Sequence, residues 1–213
     1  MSVSKLSLYN DALFLVGERE IASLTESREP RRVLDRAWDA GAVDACLEQG
    51  LWKFALRAVE IDYSTSVTPD FGYARAFDKP TDYVRTAAVC ADEFFNVPLL
   101  QYADEADYWF SDLDTMYVKY VSDDDDYGYD YGKWPQTFSK YVSAYLANEI
   151  APRLTQDKEK RVMIDSLMTR RLKDAKSKDA MNDPTKFPPP GSWVRSRRHG
   201  GGGDRGNRGS LIG

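Results

Sequence analysis

Apolar positions recur at helical spacing from Ser4 to Val16. Leu6, Tyr9, Leu13 and Val16 share one face, and Gly17 follows where a left-handed residue would end a helix. The pattern predicts a first helix over 4–16. A second, over 29–48, opens with Pro30 in its first turn, where a missing N–H is harmless, and carries the stripe Val33, Leu34, Ala37, Trp38, Gly41 and Ala45. Gly41 inside a helix costs about 1 kcal/mol relative to alanine, so a close packing partner is expected over it. From Trp52 the period changes to two, with Trp52, Phe54, Leu56 and Ala58 alternating with Lys53, Ala55, Arg57 and Val59, which predicts a strand. Further strands are predicted at Tyr83 to Ala91, around Tyr102 to Phe110 and at Thr115 to Val121, with turn signals between them. Strands this close normally pair as an antiparallel meander, with one face on helices.

Asp123 to Lys133 (DDDDYGYDYGK) is a loop by composition. Trp134-Pro135 then opens a helix over 135–151 with Phe138, Tyr141, Val142, Tyr145, Leu146 and Ile150 on one broad face, Pro152 lying at or just past its end. Thr155 reads as the N-cap of a last helix over 156–180, whose apolar stripe is narrow among many charges. Asp183-Pro184 and Phe187-Pro188-Pro189-Pro190-Gly191 break any helix, and a polyproline-like arm with a Gly-rich end is expected there. The predicted fold class is α+β: a mostly helical bundle of about four helices with a small antiparallel β-sheet inserted at about 52–121. One folded domain is expected over 1–182 and an extended or disordered basic arm over 183–213. Leu13, Trp38, Trp52, Phe54, Phe138 and Tyr145 are its expected core anchors.

With 213 residues, 42% of them hydrophobic, the chain can bury one substantial core and little more. No window approaches the roughly 20 apolar residues of a membrane span. The start lacks the basic-then-apolar order of a secretory signal, so cytoplasmic synthesis is expected. Cys46 and Cys90 lack metal or redox spacing and read as small buried hydrophobes. Charge is unevenly spread: residues 1–154 hold 15 Lys/Arg against 27 Asp/Glu, whereas 155–213 hold 14 against 7. An acidic body therefore carries a basic end, either simply facing water, or meeting different partners at opposite ends, or letting neighbouring copies attract each other's complementary faces.

Catalytic chemistry finds little support. His199 is the only histidine and sits in the Gly-rich tail, which leaves no His-based triad or zinc motif for the core. Asp112 and Asp114, or Asp104, Glu105 and Asp107, could supply acid and base carboxylates, but their turn placement favours solvation. Asp123 to Asp126 fails the EF-hand pattern, with Tyr127 at the fifth position and Trp134 where the bidentate Glu belongs, although Gly128 is correctly placed. No enzyme activity, cofactor or metal is expected.

The order of elements, with Asn10, Ala12, Leu13 and Gly17, then Ile21, Ser23 and Leu24, then Trp52, Phe54 and Ala55, resembles the head-to-tail adaptors of tailed bacteriophages, the connector family that includes tail tubular proteins. Pro80, Asp82 and Tyr83 resemble that family's Leu-Pro-x-Asp-Phe turn. Phe138, Tyr145 through Ala151, and Ser192-Trp193-Val194-Arg195 also fit it. The chain departs in having Lys79 where Leu is usual and in its Asp/Tyr-rich insertion at Asp123 to Tyr131. The resemblance implies a virion protein at the head-tail junction, assembled in the host cytoplasm. It would form a homo-dodecameric ring between the portal protein and the tail (nozzle or tube) proteins. Double-stranded DNA would pass through it without sequence-specific binding, and no membrane would be involved.

On that reading Phe187, Pro188, Pro189, Trp193, Arg195, Arg197 and Arg198 form the expected portal contact, since an extended arm can order on binding with Trp as anchor and Arg as carboxylate partner. Asp123, Asp124, Asp125, Asp126, Tyr127 and Tyr129 would form an acidic loop facing the tail or the lumen, where carboxylates repel DNA phosphates. The alternative is a nucleic-acid-binding protein acting through Arg195, Arg197, Arg198, Arg205 and Arg208 among glycines.

Overall fold

The protein, described over residues 3–182 in a computed structural model, is α+β: five helices carry two small antiparallel sheets. Helix α1 (Lys5–Val16) starts at Ser4, whose hydroxyl accepts from Ser7 N while Ser7 Oγ accepts from Ser4 N. It ends at Gly17 (φ 81), where Glu18 N–H reaches back to Leu13 O. Helices α2 (Glu29–Asp39) and α3 (Ala42–Glu48) follow, then β1 (Leu56–Asp62), β2 (Arg75–Asp78), β3 (Tyr83–Cys90), β4 (Ala103–Glu105), β5 (Tyr108–Ser111) and β6 (Thr115–Ser122). Helices α4 (Gln136–Leu154) and α5 (Lys158–Ala180) complete the order. The C-terminal arm lies outside the described residues.

Several sequence expectations change. The helix expected over 29–48 is two helices, because Gly41 adopts φ 87, a left-handed conformation that stops α2 and opens α3. A Cβ there would approach nothing closer than Asp44 Oδ2 at 3.4 Å, so conformation and not close packing accounts for the glycine. The strand expected from Trp52 starts at Leu56; Lys53–Ala55 is a 3-10 turn that lets Trp52 and Ala55 both enter the core. Thr155 ends α4, and Asp157 caps α5 by accepting from Glu159 N and Lys160 N. Pro152 neither ends α4 nor follows it. It deprives only the Asn148 carbonyl of a donor, and Thr155 N–H closes the last turn on Ala151 O at 2.9 Å.

The strands do not form a meander. β6 lies between β1 and β3, and β5 lies between β2 and β4. β6 is the strand with the most buried side chains, which explains its central place. The segment expected as one strand over Tyr102 to Phe110 is the β4–β5 hairpin, turned at Ala106 (φ 29) and Asp107.

Two cores result. Trp52, Phe138 and Leu13 are buried among the helices, with Trp38, Phe54 and Tyr145 partly buried against them. The Phe138 ring centroid is 4.8 Å from those of Trp52 and Phe54 and 4.9 Å from that of Trp134. Each fully buried side chain of this size contributes about 1.5–3 kcal/mol before ordering costs. Phe77 and Trp109 from one sheet and Val89, Met116, Val118 and Tyr120 from the other form the second core. Val121, with the opposite strand phase, joins the helical core, so the β1–β6–β3 sheet contributes to both.

Candidate functional site

The acidic loop is built onto the end of β6. Asp124 N–H donates to Ser122 Oγ, and Asp126 N–H to Asp124 Oδ1 at 2.9 Å. Tyr127 and Tyr129 N–H both reach Asp124 O, which winds the four aspartates into consecutive tight turns. One long-range bond ties the loop to the helices and one local bond closes it. Tyr129 OH donates to Asp44 Oδ1 of α3 at 2.9 Å, and Trp134 Nε1 donates to Gly128 O at 2.8 Å. Gly128 is buried; a Cβ there would stand 2.3 Å from Ser122 O and 2.8 Å from Leu47 Cδ1, so only glycine fits. Lys133 Nζ donates to Asp126 O and pairs with Asp130.

Asp82 is the other foundation. Its carboxylate accepts from Arg57 Nη1 at 2.9 Å, from Tyr120 OH at 3.0 Å and from Ser122 Oγ, and its carbonyl accepts Asp123 N–H. Burial pushes its pKa up, but the Ser122, Arg57 and Tyr120 hydrogen bonds together outweigh it and hold the carboxyl below its ordinary value. Asp123 moves the other way: burial first, then the charges of Asp44 and Asp82, raise it. Arg57 also lies over the Tyr127 ring, 5.5 Å from its centroid. Thr81, Asp82, Asp123, Asp124, Asp125 and Tyr129 line a shallow open depression.

Of the residues expected in the loop, Asp125 and Asp126 are exposed, whereas Asp123, Asp124, Tyr127 and Tyr129 are half-buried. No salt bridge reaches Asp124, Asp125 or Asp126 among the described residues. No group of three potential metal ligands occurs among the described residues. Arg57 and Asp44 escaped the sequence reading, since they meet the loop from dozens of residues away with no local signal.

Of the other carboxylates considered for acid–base chemistry, three are engaged, while Glu105 and Asp107 are exposed. Asp104 accepts from Lys79, Thr86 and Trp109; Asp112 accepts Ala74 N–H; Asp114 pairs with Arg75. Cys46 and Cys90 are buried free thiols. Phe187, Pro188, Pro189, Trp193, Arg195, Arg197 and Arg198, expected to contact a portal, lie outside the described residues, as do Arg205 and Arg208. No helix among the described residues is long and apolar enough to cross a membrane.

Large apolar side chains stand exposed on α1, where Phe14 is 75% exposed, on two loops of the β insertion and on α5. Phe94 and Leu100, 73% and 86% exposed, stand on the β3–β4 loop, and Phe71 is 90% exposed on the β1–β2 loop. On α5, only Ile164 and Ala175 are buried, while Val162 and Met163 face outward among eight Lys/Arg and four Asp/Glu. No family model matches the chain, and no curated protein matches it in sequence.

Proposed function

We propose that the chain is a structural virion protein: a head-to-tail adaptor that forms a ring between portal and tail, continues the DNA channel and helps genome retention and ejection. One observation carries the reading beyond the sequence resemblance. Large apolar side chains stand exposed on unlike elements, among them two loops of the β insertion, α1 and the basic helix α5. Exposed apolar groups of this kind mark surfaces that partners cover. In this reading α5 and the arm after it meet the portal, and loops of the body meet the tail proteins.

The acidic loop supports the same reading through its construction. Its turns are bonded to β6, α3 and Trp134 before α4, so its exposed carboxylates are held in place at low entropic cost. Exposed carboxylates held in this way can meet a cationic face of a neighbouring molecule without the loop having to order first.

Cryo-electron microscopy of a particle containing this chain tests the proposal. A ring stacked on a portal, of twelve copies, is the expected result; a lone chain with no virion neighbour overturns it. Salt titration of binding separates it from nucleic-acid binding through the basic end, because counterion release makes DNA affinity fall steeply with salt.

A further inference from the structure

An open groove of about 840 Å³ runs between α2 and α4. Val33, Ala37 and Ala40 form its apolar part, and Arg32, Arg36 and Arg153 border it. Arg153 is bound to Glu29, Nη2 to Oε1 at 2.9 Å. Arg32 and Arg36 are exposed and have no carboxylate partner among the described residues, Arg32 donating only to the Ser27 hydroxyl. Glu149 is the remaining carboxylate at the groove, so the balance there is positive.

We infer that this groove receives the exposed Asp125–Asp126 tip of a second copy of the same chain. Charge complementarity is the first argument: two unpaired arginines one turn apart on α2 match two adjacent carboxylates that also lack a cation. Placement is the second. The loop packs against the other side of α2, where the Trp38 and Tyr131 ring centroids are 6.1 Å apart. Positions 36 and 38 point about 200° apart on a helix of 3.6 residues per turn. The chain's own tip therefore lies across the helix from its own groove, and each face needs a different molecule. A contact between two different faces of identical chains is heterologous and propagates head to tail, closing into a ring when its rotation allows. The preorganisation of the tip by Tyr129, Trp134 and Lys133 lowers the ordering cost of such a contact.

The inference rests on the ring reading but names faces which that reading leaves open. The test is sedimentation of the full chain at rising concentration and at low and high salt. Association that salt weakens is expected, with R32E/R36E and D125K/D126K each lowering the association constant about tenfold or more. Mixing the two variants should restore association as alternating oligomers, because the acidic groove of R32E/R36E receives the basic tip of D125K/D126K while the native groove of the second receives the native tip of the first. Combining all four changes in one chain should restore full association. A chain that stays monomeric throughout, or that associates regardless of these reversals, overturns the pairing. Association through another face would leave the ring reading standing. Pairing as described by a chain that never binds DNA-filled heads would sink the adaptor reading alone. Loss of head binding in R32E/R36E, without any self-association to lose, would assign the groove to another virion protein and overturn the pairing.

Discussion

Lys79 Nζ lies 2.5 Å from Asp104 Oδ1 with only 8% of the lysine side chain exposed. The same ammonium donates to Ala106 O at 2.7 Å and lies 4.6 Å from the Tyr83 ring centroid, while Lys79 N–H donates to Asp107 O. Lys79 thus holds both residues of the β4–β5 turn, including Ala106 with its unfavourable φ of 29°. Lys79 is a polar clamp on a hairpin.

Lys79→Ala is therefore expected to destabilise the fold by about 1–3 kcal/mol, less than the roughly 3–5 of a fully buried pair because Asp104 keeps some water contact. Lys79→Met retains the packing of the stem and should cost less. Urea unfolding measures both, and hydrogen exchange should quicken first at 103–111. An alanine variant as stable as the parent would show that the clamp contributes nothing.

Gly41→Ala separates the two ways of reading one glycine. Were 29–48 a continuous helix, alanine would stabilise it by about 1 kcal/mol. With Gly41 at φ 87, alanine must enter the left-handed region, and a loss of about 1–2 kcal/mol is expected. The sign of the change in thermal midpoint decides the matter.

That ambiguity illustrates what was legible in the sequence. The periods that mark α1 and α4 are local, and Ser4 and Gly17 bound α1 with side-chain and backbone chemistry visible within four residues. Gly41 looks the same in sequence whether it interrupts a helix or caps one. Trp52, Phe54 and Leu56 keep period two, yet the core takes Trp52 and Ala55 together, which needs a 3-10 turn. The pairing of β6 with both β1 and β3 follows from which strand buries most, a tertiary property. In the loop, composition revealed the turns but not Tyr129 bonding to Asp44, 85 residues away.

Acid stability should divide the carboxylates by sign. Asp82 and Asp104 both have folded pKa values below the ordinary one, burial opposing and hydrogen bonds prevailing, from Ser122 and Arg57 in one case and from Lys79 and Thr86 in the other. Their stabilisation is complete above the unfolded carboxylate range and is lost as pH falls through the folded values. Asp123, raised by burial and by Asp44 and Asp82, contributes the reverse: its contribution is lost as pH rises through its folded pKa. Asp82→Asn should lower stability at neutral pH and flatten the acid limb. Asp123→Asn should raise the neutral-pH stability, and the gain should vanish on acidification. Urea midpoints across an acid-to-neutral series test both, and equal responses from the two variants would contradict the assignment.

The basic arm gives the sharpest functional prediction. Trp193 can supply an apolar anchor of about 1.5–3 kcal/mol on burial, too little for one arm to hold a partner firmly once ordering is charged against it. In the proposed ring many such arms would bind together, and avidity multiplies a weak contact by about 10²–10⁴. Trp193→Ala, or truncation before Phe187, should therefore leave the unfolding midpoint of the body unchanged while sharply reducing attachment to DNA-filled heads. Replacing Arg195, Arg197 and Arg198 with glutamine should reduce attachment further and weaken its salt dependence. Attachment that survives both truncation and charge removal would mean the body alone makes the junction, with α5 as its contact face.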